Sequence, residues 1–352
     1  MLRILNIFLI ITSLLIYGSI FIPPTLFWPA GILSYGIPVL MLCLLMNIAF
    51  QLILRHRIPF LSLGLLLFGV FVMPEIFQWN SVVTDQKRKS FEVLSYNSRL
   101  MREYKAEEAK GWVYSQEMIN FIVEDTSAIK CLQEYYSDGR WKALNVSQKL
   151  KQKGYEPYVL NYHQFAENDE FARGMAIFSK FPILKGGKID IGESSINQAI
   201  FADVLLSPKD TIRVYNLHLH SMGINPELEW QKASEAYPIL LSKLKSGIQK
   251  RVIQTHPILA HIAQSPYPVL VCGDFNDPPF TYNYQQFRKN LHNAFEQKGR
   301  GFGFSMNSPM FFLRIDNQFY SDAFELNNFK TLREVPYSDH FPIKSTFRLS
   351  AP

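Results

Sequence analysis

Cysteine is scarce: the 352 residues hold 3. They stand far apart at Cys43, Cys131 and Cys272, which excludes a disulfide framework; each lies in an apolar run where a thiol acts as a small hydrophobe. Internal repeats and low-complexity tracts are missing as well. So is a dense basic stripe. Lys and Arg number 36 against 30 Asp and Glu, a formal net charge of +6, yet the charges are mixed along the chain. Lys149, Lys151 and Lys153, and again Lys243, Lys245, Lys250 and Arg251, read as solvated helix faces. A strong nucleic-acid binder would carry a denser patch. The balance suits an anionic substrate without identifying one.

Charge is scarcest at the N-terminus. Residues 4–22, 32–54 and 58–77 are almost wholly apolar, each near the roughly 20 residues that cross a bilayer. Pro23-Pro24 with Trp28-Pro29, and Arg55-His56-Arg57, separate them, and the few polar residues include Asn6, Asn47, Gln51 and the acid Glu75. The pattern predicts three transmembrane helices over residues 1–79, packed against a lipid bilayer, and a polar linker over 80–90. A cleaved signal peptide is the other reading of the first run, since Arg3 precedes it. The long core, and the lack of a small-residue cleavage site before the proline pair, oppose that. Arg3 and Arg55-His56-Arg57 on the cytoplasmic side would leave the rest of a multi-pass membrane protein outside the cytoplasm. Lys87-Arg88-Lys89 argues the opposite way.

From residue 91 onward strand-like and helix-like segments alternate. Residues 91–97, 128–133, 175–179, 199–206, 211–219, 267–272 and 343–349 read as strands, and 111–125, 226–244 and 245–264 as helices, the last kinked at Pro257. This alternation predicts an α/β domain over 91–352.

Six strand ends carry polar groups, and strand ends are where α/β proteins assemble sites. Val271-Cys272-Gly273-Asp274-Phe275-Asn276-Asp277-Pro278 is the most informative: a buried strand turns at Gly273 and presents an acid and an amide two positions apart. Alone it reads equally as a turn. Ser338-Asp339-His340-Phe341-Pro342 joins an acid to an imidazole, the group that exchanges protons near neutral pH. Gln133-Glu134 ends a strand in a carboxylate, a good oxygen ligand for a hard cation. Asn97, Asn216-Leu217-His218-Leu219 and Arg314-Ile315-Asp316 complete the set.

In this order, with Arg173-Gly174-Met175-Ala176-Ile177-Phe178-Ser179-Lys180 between Glu134 and Asn216, the motifs resemble the endonuclease/exonuclease/phosphatase superfamily over residues 91–349. The resemblance implies a DNase I-like four-layer sandwich, two packed mixed sheets flanked by helices, following the all-α membrane segment. It implies hydrolysis of a phosphate ester with Mg²⁺, or Mn²⁺ in its place. Glu134 would be the principal metal ligand, with Asn97 and Asp339 completing the metal and phosphate shell. Asp274 would orient or deprotonate water, Asn276 would hold water or phosphate, and Asp316 would orient His340. His218 would be the second imidazole, although His220 faces the same side of a continuous strand. Arg173 is equally a phosphate ligand or a loop ion pair. Asn317-Gln318 stand where the family has an aromatic and an aliphatic residue, so the packing of that strand departs from the pattern. Nucleic acid, a lipid head group or a small phosphate ester all fit such a site. The aromatic stretches 282–287 and 302–312 suit base stacking, lipid contact or plain packing. The alternatives are a lipid phosphodiesterase at the membrane surface and a non-catalytic membrane interaction module.

Overall fold

The computed structural model describes residues 2–54, 60–80, 90–101, 111–162, 171–192, 196–223 and 233–350. One six-stranded sheet contains β2 (Phe91–Asn97), β3 (Ile129–Asp138), β4 (Glu156–Asn161), β5 (Phe171–Ser179), β13 (Phe324–Thr331) and β14 (Ile343–Leu349), in the order β13-β14-β2-β3-β5-β4. The other contains β6 (Ile183–Ile189), β7 (Gln198–Ser207), β8 (Asp210–His218), β9 (Val269–Asp274), β10 (His292–Asn293) and β12 (Asp316–Tyr320), in the order β10-β12-β9-β8-β7-β6. Both are mixed: β2–β3 and β8–β9 are parallel, and the other pairs among the described strands are antiparallel. β1 (Gln78–Trp79) pairs with β11 (Arg300–Gly301) as a separate ribbon.

The sheets face each other across a layer of fully buried side chains. Val93, Ile129, Cys131 and Ile177 come from one, and Ile200, Val214, Leu270 and Cys272 from the other. Burying an aliphatic side chain of this size contributes about 1.5–3 kcal/mol. The outer faces are covered by helices. Met118, Ile119 and Ile122 of α5 (Gly111–Glu124) and Leu150 of α6 (Val146–Gln152) cover the first sheet. Ile258 of α7 (Ala233–Ala263) and Phe287 of α8 (Tyr282–Arg288) cover the second, whose outer face includes Val271 and Phe319.

Several expectations are corrected. The two helical segments expected over 226–264 join, within the described residues, into a single helix of 31 residues with Pro238 and Pro257 inside it. Arg251, read as part of a solvated face, is fully buried there. Asn317 and Gln318 do not disrupt their strand: both are buried on β12 and their amides are paired. Asn317 accepts from Arg314 at 2.7 Å, and Gln318 donates to the Val93 carbonyl at 3.1 Å.

Among the described residues the three N-terminal runs carry α1 (Leu2–Ser19), α2 (Trp28–Tyr35), α3 (Ile37–Ile53) and α4 (Phe60–Ile76). The second run breaks at Gly36, where Pro38 starts a new helix and α3 turns 49° from α2. Among the described residues no single helix is long and apolar enough to cross a membrane; by length and composition only that bent pair qualifies together. The helices pack through Tyr17, Ile20, Ile37, Leu40 and Leu44, with Phe280 of the sheet domain inserted among them. Their polar residues pair internally: Asn47 donates to Asn6 at 3.2 Å and to Ser62 at 3.0 Å. Arg55-His56-Arg57, Lys87-Arg88-Lys89 and most of the expected linker lie outside the described residues.

Candidate active site

Strand register builds half of the site. Asp274 ends β9, opposite His218 of parallel β8 on one side and Asp316 of antiparallel β12 on the other. Three chemically active side chains thus stand in one row. Gly273 permits the approach: its φ is +150°, and a Cβ there would lie 2.1 Å from the Leu217 carbonyl oxygen. No larger residue fits without moving β8.

The other half comes from the facing sheet. Asn97 ends β2, and the next strand is irregular between Leu132 and Tyr135, where Glu134 adopts φ +47°. Such a conformation in a non-glycine residue is uncommon and re-aims the side chain out of the strand's alternation. The Asn97 amide crosses the gap between layers, donating to Asp274 Oδ2 at 3.0 Å and Glu134 Oε1 at 3.3 Å. Behind it Gln133 donates to Asn216 at 2.6 Å, and Asn216 donates to the Leu132 and Ala176 carbonyls at 3.0 Å each.

The turn before β14 delivers His340. Its Nδ1 lies 2.8 Å from Asp316 Oδ2 and its Nε2 3.7 Å from Asp274 Oδ2. Burial alone would disfavour the imidazolium, but Asp316 and Asp274 outweigh it and hold the pKa well above the ordinary histidine value. Asp274 is raised, first by burial and then by Asp316, against the lowering influence of His340 and His218. His218 Nε2 stands 3.7 Å from Asp274 Oδ2 and 3.8 Å from Glu134 Oε1. Asn276, at φ +50°, returns its backbone N–H to Asp274 Oδ1 at 2.8 Å and donates through its amide to Leu219 O at 3.0 Å.

The structure therefore brings Asn97, Glu134, His218, Asp274, Asn276, Asp316 and His340 together. Asp339 adjoins them, accepting from Ser338 Oγ at 3.1 Å and standing 3.7 Å from Arg99 Nε. Arg173 is exposed on β5, close enough to Tyr162 to favour that phenol's charged form. Three further residues near the site, Tyr162, Ser305 and Arg99, were not singled out from the sequence, and Ser338 was named only as part of its motif. Tyr162 faces Glu134 and Asp274, whose charges add to burial in raising its hydroxyl pKa. Ser338 Oγ donates to the Asn97 carbonyl at 2.8 Å, tying His340's turn to β2. Ser305 Oγ accepts from the Asp316 N–H at 3.1 Å. Arg99, two residues after Asn97, opens a left-handed turn. Apart from the Ser338-Asp339-His340 run, no local pattern marks them.

The donor set fits a hard divalent cation. Glu134 is partly open to water, with 23% side-chain exposure, and offers oxygen beside Asp274. A cation that keeps several waters needs few protein ligands. Asp274, Asp316 and His340 form a second possible grouping, each with a ligand atom within 4.8 Å of the others. There the His340 Nδ1 hydrogen bond to Asp316 leaves only Nε2 free to ligate.

Residues 128–340 match the endonuclease/exonuclease/phosphatase family, and residues 1–76 match a domain family of unknown function. The solved structures it resembles include an endonuclease/exonuclease/phosphatase from Beutenbergia cavernae, 17% identical over 75% of this chain and 72% of that one, TM-score 0.53. The human Nocturnin catalytic domain is 18% identical over 76% of this chain and 96% of that one, TM-score 0.52. A mannosyl-6-phosphatase from Bacteroides thetaiotaomicron is 18% identical over 74% of this chain and 100% of that one, TM-score 0.51. No curated protein matches. Fold, motif order and family match agree: the chain belongs to the endonuclease/exonuclease/phosphatase family.

Proposed function

We propose that this protein is a Mg²⁺-dependent phosphoesterase that hydrolyses a phosphodiester or phosphomonoester, with Mn²⁺ able to substitute. The observation that carries the reading is the meeting of the row His218, Asp274 and Asp316 with Asn97, Glu134 and His340 from the facing sheet and its connecting turn. Asp274 receives the proton of the attacking water; its raised pKa makes it a better base near neutral pH than an ordinary carboxylate. Asn276 holds Asp274 Oδ1 through its backbone N–H and places an amide beside the water. His340, kept cationic by Asp316, stabilises charge building on the phosphoryl oxygens. His218 donates to the phosphate or the leaving oxygen from the other side, and Arg173 binds phosphate from the rim. Glu134 would hold the metal, which when bound polarises the phosphoryl group and neutralises its charge; Asn97 donates its amide N–H to Glu134 and Asp274 and so positions the carboxylates, and Asp339 lies on the His340 side of the site.

The purified protein should hydrolyse bis(p-nitrophenyl) phosphate or p-nitrophenyl phosphate with Mg²⁺, and lose that activity in chelator. Inactivity across a panel of nucleic acids, phospholipids and sugar phosphates would favour a binding module instead.

A lipid head group is the second substrate reading, favoured by the apolar surface of the N-terminal helices: Ile4, Phe8, Leu14, Val39 and Phe60 are each more than 60% exposed. We propose that this surface is covered by a lipid bilayer and that residues 91–352 lie outside the cytoplasm. The protein should then resist alkaline carbonate extraction, and protease added to spheroplasts should digest the domain. Digestion only after lysis would reverse the sidedness.

A further inference from the structure

The N-terminal helices meet the sheet domain through buried polar contacts as well as Phe280, and these contacts fall on the two chain segments that carry Asp274 and Asp316. Asp277, three residues after Asp274, is held by four groups. Thr281 Oγ1 and Asn283 Nδ2 each donate to its Oδ2 at 2.9 Å. Arg251 Nη2 lies 3.2 Å from Oδ1, and the Tyr35 hydroxyl of α2 donates to the same oxygen at 3.1 Å. Tyr35 also accepts from Arg251 Nη2 at 2.8 Å. Arg251 has no exposed side-chain surface, and its Nη1 donates to the His220 carbonyl at 3.0 Å. One guanidinium thus clamps the loop after His218 to the loop after Asp274, and a hydroxyl from the helical segment shares its Nη2 with Asp277. α2 reaches this place because Gly31 lies against α7; a Cβ there would be 2.5 Å from Ile248 Cγ2.

A parallel arrangement serves the other aspartate. Arg314, buried two residues before Asp316, donates through Nη2 to the Glu75 carbonyl oxygen of α4 and through Nη1 to Asn317 Oδ1 at 2.7 Å. The Glu75 carboxylate lies 3.0 Å from Arg288 and accepts from Gln285 at 2.7 Å.

We infer that the N-terminal helical segment is a positioning element of the active site, with Tyr35 and Glu75 each fixing one aspartate-bearing strand end. A buried guanidinium cannot replace a lost partner with water, so removing one shifts the loops it joins. Small displacements of reacting groups cost turnover before they cost substrate binding. In its kinetic part the inference rests on the phosphoesterase reading; in its structural part it does not.

The test uses the full chain in detergent, comparing wild type, Tyr35→Phe, Arg314→Lys and, as a control in the apolar core of the helices that makes no polar contact with the sheet domain, Leu44→Ala. Lysine keeps the charge but cannot bridge both acceptors. Hydrogen exchange should accelerate at least about 5-fold over residues 275–283 in Tyr35→Phe and over 313–318 in Arg314→Lys. With bis(p-nitrophenyl) phosphate and Mg²⁺, each should lose about 10-fold in kcat with KM within about 2-fold. Leu44→Ala should lower the thermal midpoint without either change. Unaltered exchange in both segments, or a kcat loss in Leu44→Ala equal to that in Tyr35→Phe, would overturn the inference. Wild-type protein inert towards the probe would count against the phosphoesterase reading, while the exchange comparison still decides the positioning role.

Discussion

His340 Nδ1 lies 2.8 Å from Asp316 Oδ2, and that contact decides which ring nitrogen faces Asp274. The pair should act as a unit. Asp316→Asn and His340→Ala are each expected to lower kcat by roughly 10²-fold or more. The double variant should be little worse than His340→Ala alone, because Asp316 works through the imidazole it orients. Steady-state rates of the four proteins check this, and additive losses would show independent roles.

Glu134→Gln removes a charge at nearly constant volume. Mn²⁺ affinity, followed by titration, should fall by at least roughly 10-fold, and activity should need correspondingly more metal. Circular dichroism should be unchanged. Full activity of this variant without added metal would contradict a role for Glu134 in ion binding.

His218 and His220 are separable. β8 ends at His218, so the alternation that would put both on one face stops there. His218 lies within 3.8 Å of both Glu134 and Asp274, while His220 gives its carbonyl to Arg251 and its N–H to Gln254. His218→Ala should cost roughly 10²-fold in kcat and His220→Ala less than about 5-fold. Equal losses would move the second imidazole role to the loop.

A pH dependence unconnected with catalysis is expected from Asp125. Burial would raise its pKa, but Lys130 at 2.8 Å and Lys344 overcome that and bring it from 3.8 to about 2. The folded state therefore favours the carboxylate more than the unfolded chain does. Its contribution is fully present above pH 3.8 and is lost as pH falls through about 2. Denaturation midpoints measured from pH 5 down to about 2 should fall more steeply for wild type than for Asp125→Asn. Parallel curves would mean that the ion pair contributes nothing pH-dependent.

The strand ends were legible because a buried strand followed by Gly273 and Asp274, or capped by Asn97 or Glu134, is a local pattern. The fold class follows from the same alternation. The break at Gly36 was written in Pro38 but hidden by the continuous hydrophobicity of 32–54, since periodicity alone does not mark a change of helix direction. Arg251 was misread for a related reason: its lysine neighbours suggest a wet face, and its partners Tyr35 and Asp277 are distant in sequence. The same holds for Ser338 with Asn97 and for Tyr162 with Glu134, pairings that only the folded chain brings together. Asn317 and Gln318 show the converse, a departure from the expected strand composition whose amides are used up inside the domain.

Because the Asn97 amide spans the two layers, the separation of the sheets is itself a dimension of the proposed active site. Glu134 is carried on one slab, Asp274 and His218 on the other, and the apolar filling between them acts as the spacer that gauges the gap. Trimming that spacer, as in Ile200→Ala or Val214→Ala, would let the slabs slide or settle by fractions of an ångström. A chain so altered can keep its topology and most of its cooperativity and still be a poor enzyme, so turnover should report on core packing more sensitively than melting does.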